Sequence, residues 1–297
     1  MEITDIIINK IENENSSKAS VNLLIGFSNK IIGKTIGNFA RQLINERPGL
    51  CSITILNLLT PETASKIDDL NVYQSELYAD IDLTAESDKV TIRTFVKESE
   101  HFIKDIIAMA DEQKSDMVLF GICPELFDNE LWDKYIQLKC ENNIFEEDVY
   151  NQTIGIQATS IIQNITNLLN KPDYSTGILV SSKKEQEFKN IFTILLRESD
   201  LYALPYINHL TRSEETNVYI WDAVGLLDAN PNLKKTLNSI TRKNDGKIRV
   251  WNNRKKIENE FILAQDLIVI SSEGWERLIV TPLSWIQHLP SVLIIKD

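Results

Sequence analysis

Short apolar runs alternate along this chain with longer segments of helical period. Val21–Phe27 (VNLLIGF) predicts a strand buried on both faces. Behind it, Ile32, Ile36, Phe39, Ala40, Leu43 and Ile44 fall on one face and predict a helix over 32–46. Cys51–Leu59 predicts a second strand. Thr60-Pro61 then supplies an N-cap and a first-turn proline for a polar helix reaching about Leu83. A third strand follows at Val90–Val96. Phe102, Ile103, Ile106, Ile107 and Ala110 predict a helix over 100–113, and Asp116–Gly121 a fourth strand. The rhythm breaks at Ile122–Tyr150, a long insertion with an acidic end at Glu146-Glu147-Asp148. It resumes with a helix over 155–170 and a fifth strand at Thr176–Ser181.

The charged stretch Lys183–Glu187 predicts a linker, after which the cycle restarts in shorter form. Strands are expected at Phe188–Leu196, Asn217–Asp222, Lys247–Trp251, Asp266–Ser271 and Ser291–Ile295. Helices are expected near 200–210, 232–240, 256–264 and from Thr281-Pro282 to about Leu289. Strands alternating with helices predict α/β architecture with parallel, doubly wound sheets. The reading gives a polar segment 1–20, a first domain 21–183 carrying the insertion 122–150, and a shorter second domain 187–297. The recurrence suggests duplication.

Charge narrows the function classes. The chain has 297 residues and a net charge of −12. Such a surface repels phosphate backbones and anionic headgroups alike, so no nucleic-acid partner is expected. Only a local basic patch could reverse this, and the best one, Arg249–Lys256, is short. Met1–Ser20 is polar beyond Ile11 and does not resemble a signal peptide, and no apolar run reaches the ~18 residues of a membrane span. Direct membrane insertion is not expected. Cys51, Cys123 and Cys140 show no CxxC spacing, which fits a reducing, cytoplasmic setting.

Few strings carry chemistry. Gly33-Lys34-Thr35 follows a strand, as in a phosphate-binding loop, but Ser28 stands where the first glycine belongs. Gly33 and Gly37 also suit close helix–sheet packing. Val218–Asp222 resembles an apolar strand ending in a magnesium-binding Asp, yet it lies in the other half. His101, His209 and His288 have no metal-ligand spacing, and no metal site or catalytic residue is assigned. Ser181, Ser182, Ser271 and Ser272 follow strand ends, where open α/β sheets bind ligands, and serve equally as turn formers. The candidate ligand-binding positions at these ends are Gly26, Phe27, Ser28 and Gly121 in the first half, and Ser271 and Ser272 in the second.

The order of elements from Asn22 to Gly121 resembles the universal stress protein fold. The tail DLIVISSEGWERLIVTPLSWIQHLPSVLIIKD resembles the way that fold closes. Together with tandem halves, it is similar to the cytosolic C-terminal region of bacterial sodium- or potassium/proton antiporters, particularly of the Bacteroidetes type. The resemblance covers about Val21–Asp297. It implies a non-enzymatic regulatory module at the inner face of the cell membrane, partnered by a transmembrane antiporter domain in the same polypeptide or operon. ATP-binding members carry Gly-x2-Gly-x9-Gly-[Ser/Thr] after the fourth strand. Here Gly121 is followed by Ile122-Cys123-Pro124, and Gly274 is the last glycine, so no nucleotide cofactor is expected. The family pairs fifth strands, which implies that 176–181 and 291–295 run antiparallel in a pseudo-dimer. The rival readings are a free-standing stress protein and a nucleotide-dependent enzyme with Lys34 and Thr35 on phosphate.

Overall fold

A computed structural model describes residues 5–8, 20–44, 50–79, 89–122, 174–181, 188–211, 215–244, 246–280 and 289–296. The insertion from 123 onward, the helix over 155–170, the linker 183–187, the segment 281–288 and most of 1–20 lie outside these residues.

The described residues form one mixed sheet of ten strands. They are β1 (Val21–Phe27), β2 (Cys51–Leu59), β3 (Val90–Glu98), β4 (Met117–Ile122), β5 (Ser175–Val180), β6 (Asn190–Leu195), β7 (Asn217–Asp222), β8 (Ile248–Trp251), β9 (Leu267–Ser271) and β10 (Ser291–Lys296). Their order across the sheet is β3-β2-β1-β4-β5-β10-β9-β6-β7-β8. Each half follows the same walk. β1 lies between β2 and β4, and β6 between β7 and β9, all parallel. The sheet continues from one half to the other through an antiparallel ladder, in which Val292 faces Val180 and Ile294 faces Ile178. The halves also pack beside it, with the Phe39 ring edge-on to Phe188 at 5.6 Å and the Gln42 amide donating to the Phe188 carbonyl at 3.4 Å. Each half keeps its own doubly wound order, and the two half-sheets are continuous through the pair of strands whose antiparallel pairing the resemblance implies, because two apolar strands lie edge to edge and cover each other's unpaired backbone groups. Beside the ladder, the buried hydroxyls of Ser181 and Ser291 lie 2.7 Å apart.

Helices cover both faces of the sheet. The first is α1 (Lys30–Ile44), which presents Ile32, Ile36, Phe39, Ala40 and Leu43 to one face. Next come α2 (Pro61–Ala64), α3 (Leu70–Ala79) and α4 (Phe102–Gln113), the last putting Ile103, Ile106 and Ala110 on the opposite face. The second half carries α5 (Ala203–Leu210), α6 (Leu226–Ala229), α7 (Pro231–Lys243), α8 (Asn259–Leu263) and α9 (Ser272–Val280). Along β1, Leu23, Ile25 and Phe27 join the α1 side while Leu24 joins the α4 side. This two-sided burial is why the strands read as continuous apolar runs.

Local rules account for most helix starts. The Thr60 hydroxyl accepts from the Thr63 N–H, and Asn230 accepts from the Leu233 N–H ahead of Pro231. The long helix expected after Thr60 is instead two short ones, α2 and α3. The helix expected at 200–210 begins as a 3-10 turn, Glu198–Tyr202. Helix α9 was not expected; Ser271 and Ser272 at the strand end serve equally as turn formers.

One clip occurs in both halves. Asp116, just before β4, accepts the Asn22 N–H at 2.8 Å and donates its own N–H to the Asn22 carbonyl at 2.8 Å. Asp266, just before β9, accepts the Asn190 N–H at 2.9 Å and donates to the Asn190 carbonyl at 2.8 Å. The same Asp–Asn pair fixes the register of the two central strands in each half.

Candidate functional site

In open α/β sheets, ligands bind at the strand C-termini where the strand order reverses. Here that point lies between β1 and β4 in one half and between β6 and β9 in the other. Because β5 and β10 are antiparallel, the two crests lie at opposite ends of the sheet. Gly26, Phe27, Ser28 and Gly121 therefore belong to one end, and Ser271 and Ser272 to the other.

The first crest is filled by apolar side chains. A Cβ at Gly121 would lie 2.6 Å from Ile32 Cγ1, and one at Gly26 would lie 2.9 Å from Ile106 Cδ1. These two glycines face opposite helices, so they admit close helix–sheet packing and do not line one cleft. The Phe27 ring is fully buried and lies against Gly33, leaving no room for a side chain there. Gly33-Lys34-Thr35 lies inside α1, not ahead of it. Asn29 accepts the Ile31 N–H at 2.8 Å, so the helix starts earlier. Thr35 is buried and donates its hydroxyl proton to the Ile31 carbonyl at 3.2 Å. That bond turns its hydroxyl along the helix. Beside this crest, Asn57 is buried, donates to the Phe27 carbonyl and accepts from the Tyr73 hydroxyl.

The second crest is polar and centred on Asp200, which is 0% exposed. One carboxylate oxygen accepts the backbone N–H groups of Leu196 at 2.7 Å and Arg197 at 2.8 Å. The other accepts the Ser271 N–H at 3.0 Å and the Ser271 hydroxyl at 2.6 Å. The Ser271 oxygen in turn accepts the Gly274 N–H at 2.9 Å and lies 3.1 Å from the Ser199 hydroxyl, which also donates to Glu273. Asp200 lies where a Cβ at Gly274 would be, so this glycine is required for close approach. Burial pushes the Asp200 carboxyl above its usual range, against the opposing effect of the Ser271 hydroxyl and the three N–H donors.

Thus Ser271 stands at a polar convergence whose donors the Asp200 side chain already engages, while Ser272 begins α9. Sequence reasoning missed Asp200. The available signal was an acid directly behind a buried strand, followed by the hydrophobic LYAL. Asp222 at the end of β7 is also engaged. It accepts the N–H groups of Gly225, Leu226 and Leu227 at 2.8–2.9 Å, which caps α6 and accounts for the metal-like appearance of the strand. His101 begins α4 without a side-chain cap, and His209 is buried. His288 and Ser182 lie outside the described residues. Among those residues, no group of three or more His, Cys, Asp or Glu could hold a metal ion.

A mainly apolar cavity of about 270 Å³ lies at the seam, between the start of β1, the end of α1 and Pro205, Tyr206 and His209 of α5.

No protein-family model matches this chain. No curated protein matches it either. Among solved structures, it is similar to a functionally unknown protein from Pseudomonas aeruginosa PAO1, at 12% identity over 95% of each chain, with a TM-score of 0.46. A Leishmania major Friedlin protein, provisionally described as an aspartate carbamoyltransferase, aligns at 9% identity and a TM-score of 0.22, over 90% of this chain and 68% of that one. No described helix is long and apolar enough to cross a membrane.

Proposed function

We propose that this chain is a non-catalytic regulatory module, the cytosolic part of a monovalent cation/proton antiporter. The observation that carries the non-catalytic part is the occupancy of both switch points by the chain's own groups. Ile32, Ile106 and Phe27 fill one, and the Asp200 carboxylate takes the donors of the other. A nucleotide phosphate would have to displace a buried, four-bonded carboxylate. The antiporter assignment rests on the resemblance of the tandem order and the tail. The antiparallel β5–β10 ladder supports it, as the arrangement that the resemblance implies.

A module of this kind acts by binding one transporter state more tightly than the other. The continuous sheet suits that role, since a push on one half is transmitted to the other through a central ladder.

Two measurements test this reading. Calorimetry with magnesium ATP should give no saturable heat; saturable binding lost in Lys34→Ala would overturn it in favour of the enzyme. Cation-driven proton flux in membrane vesicles, compared with and without the segment 21–297, should differ in its pH dependence. Unchanged flux would remove the antiporter assignment and leave a free-standing stress protein.

A further inference from the structure

We infer that the edge formed by β8 and the loop behind it is a docking surface for a plane of anionic phospholipid headgroups. Positions 247–256 (KIRVWNNRKK) hold five basic residues and no acidic one, in a chain whose net charge is −12. Among the described residues β8 is the last strand of the sheet and pairs with β7. Arg249, Arg254, Lys255 and Lys256 are all exposed there, and Lys247 is half-buried.

Aromatic packing holds two of these cations in place. Trp251 and Phe261 have ring centroids 4.8 Å apart, and Tyr219 lies 5.2 Å from each. The Lys255 ammonium sits 4.9 Å from the Trp251 centroid, and the Arg249 guanidinium 5.6 Å from the Tyr219 centroid. Exposed Val250 points to the other side of the strand. Glu258 and Glu260, exposed at the start of α8, are the acidic groups that follow the strip.

The geometry favours a lipid plane over a nucleic acid strand. Single-stranded nucleic acid binds by stacking bases on open ring faces. Here Tyr219 and Trp251 pack against each other and Phe261, and each already carries a cation. Half-buried aromatic rings beside Lys and Arg match the composition of interfacial anchors. The acidic remainder of the protein is repelled by the same surface, which turns this edge toward it.

The inference shares with the proposed function only the presence of a membrane, and flux and vesicle binding can fail separately. The test is sedimentation of the intact chain with vesicles of phosphatidylglycerol in phosphatidylcholine, against phosphatidylcholine alone. Binding is expected only to the anionic vesicles, and should vanish near 0.5 M salt, where screening is about 4 Å. The triple variant Arg254→Glu, Lys255→Glu, Lys256→Glu should bind at least about tenfold more weakly. A charge-matched triple on the first half, Lys66→Glu, Arg93→Glu, Lys104→Glu, should bind as wild type does. Circular dichroism confirms that both fold. No binding to anionic vesicles, equal loss in both triples, or tighter binding to polyglutamate or an oligonucleotide would overturn the inference.

Discussion

Replacing Asp200 by Asn probes the internal anion directly. The change is nearly isosteric, but an amide offers one oxygen where the carboxylate offers two. Each Asp200 oxygen faces two donors, Leu196 and Arg197 N–H at one, Ser271 N–H and hydroxyl at the other. Whichever way the amide turns, its NH2 meets at least one backbone N–H. The Ser271 hydroxyl can rotate to accept, but the N–H groups cannot. One or two buried donors are thus left without an acceptor, at about 1–3 kcal/mol each. A loss of about 2–4 kcal/mol is expected, with melting lowered by about 2–4 °C per kcal/mol. Because the native pKa is raised, the wild-type carboxyl contributes most below its unfolded value. That contribution is lost as pH rises through the native value. Urea unfolding of both proteins, at pH values from below 4 to 7, reads the difference. Asp200→Gly should empty the seat, and acetate or phosphate should then raise its melting temperature but not that of wild type. An Asn variant melting within a degree of wild type, or a Gly variant indifferent to anions, would refute the reasoning.

Gly121→Ala should destabilise the protein by about 1–3 kcal/mol by pushing Ile32 from its place, and in thermal melting it should cost less in a chain that already carries Ile32→Ala, which removes the Cγ1 it would meet. At the central ladder, Val292→Asp with Ile294→Asp buries two charges and should abolish cooperative melting, whereas unchanged melting would contradict the ladder. Ser181→Ala and Ser291→Ala should each cost about 1 kcal/mol, and the double variant less than their sum, in denaturant titrations. Asp105 is raised by burial but brought below its usual range overall by bonds from Lys97 and Ser99 and the Lys97 charge. Its contribution, under about 1 kcal/mol for so exposed a pair, should be full above the unfolded pKa and vanish as pH falls through the native one, read as the difference from Asp105→Asn.

Most strands were legible because they are buried on both faces, which leaves runs such as VNLLIGF and DLIVIS without polar interruption. β3, the first strand in the order across the described sheet, shows the other signature, alternating half-buried and exposed residues. Helix α9 was not legible, because Ser271, Ser272 and Gly274 are the residues of a turn. They start a helix here only because the Ser271 hydroxyl accepts the Gly274 N–H and Asp200 presses on the glycine. The candidate positions were legible as strand ends, but not as filled ones. Whether Gly121 opens a cleft or admits Ile32 depends on a side chain from another element. Asp200 escaped for the same reason: its partner Ser271 lies 71 residues away. The basic run was visible as charge, while its anchoring on Tyr219 and Trp251 depends on β7 and β8 lying side by side.

The antiparallel ladder at the centre of the sheet is an intrachain joint, so each half meets its counterpart at the high effective concentration of a tether. Exchange of halves with a homologous chain is thereby disfavoured, and the two no longer need to stay alike. A symmetric dimer must change both of its crests with every mutation. This chain can keep the Asp–Asn clip in both halves while one crest becomes apolar and the other closes on a carboxylate. Fusion therefore permits a division of labour between the halves that a pair of identical subunits could not evolve.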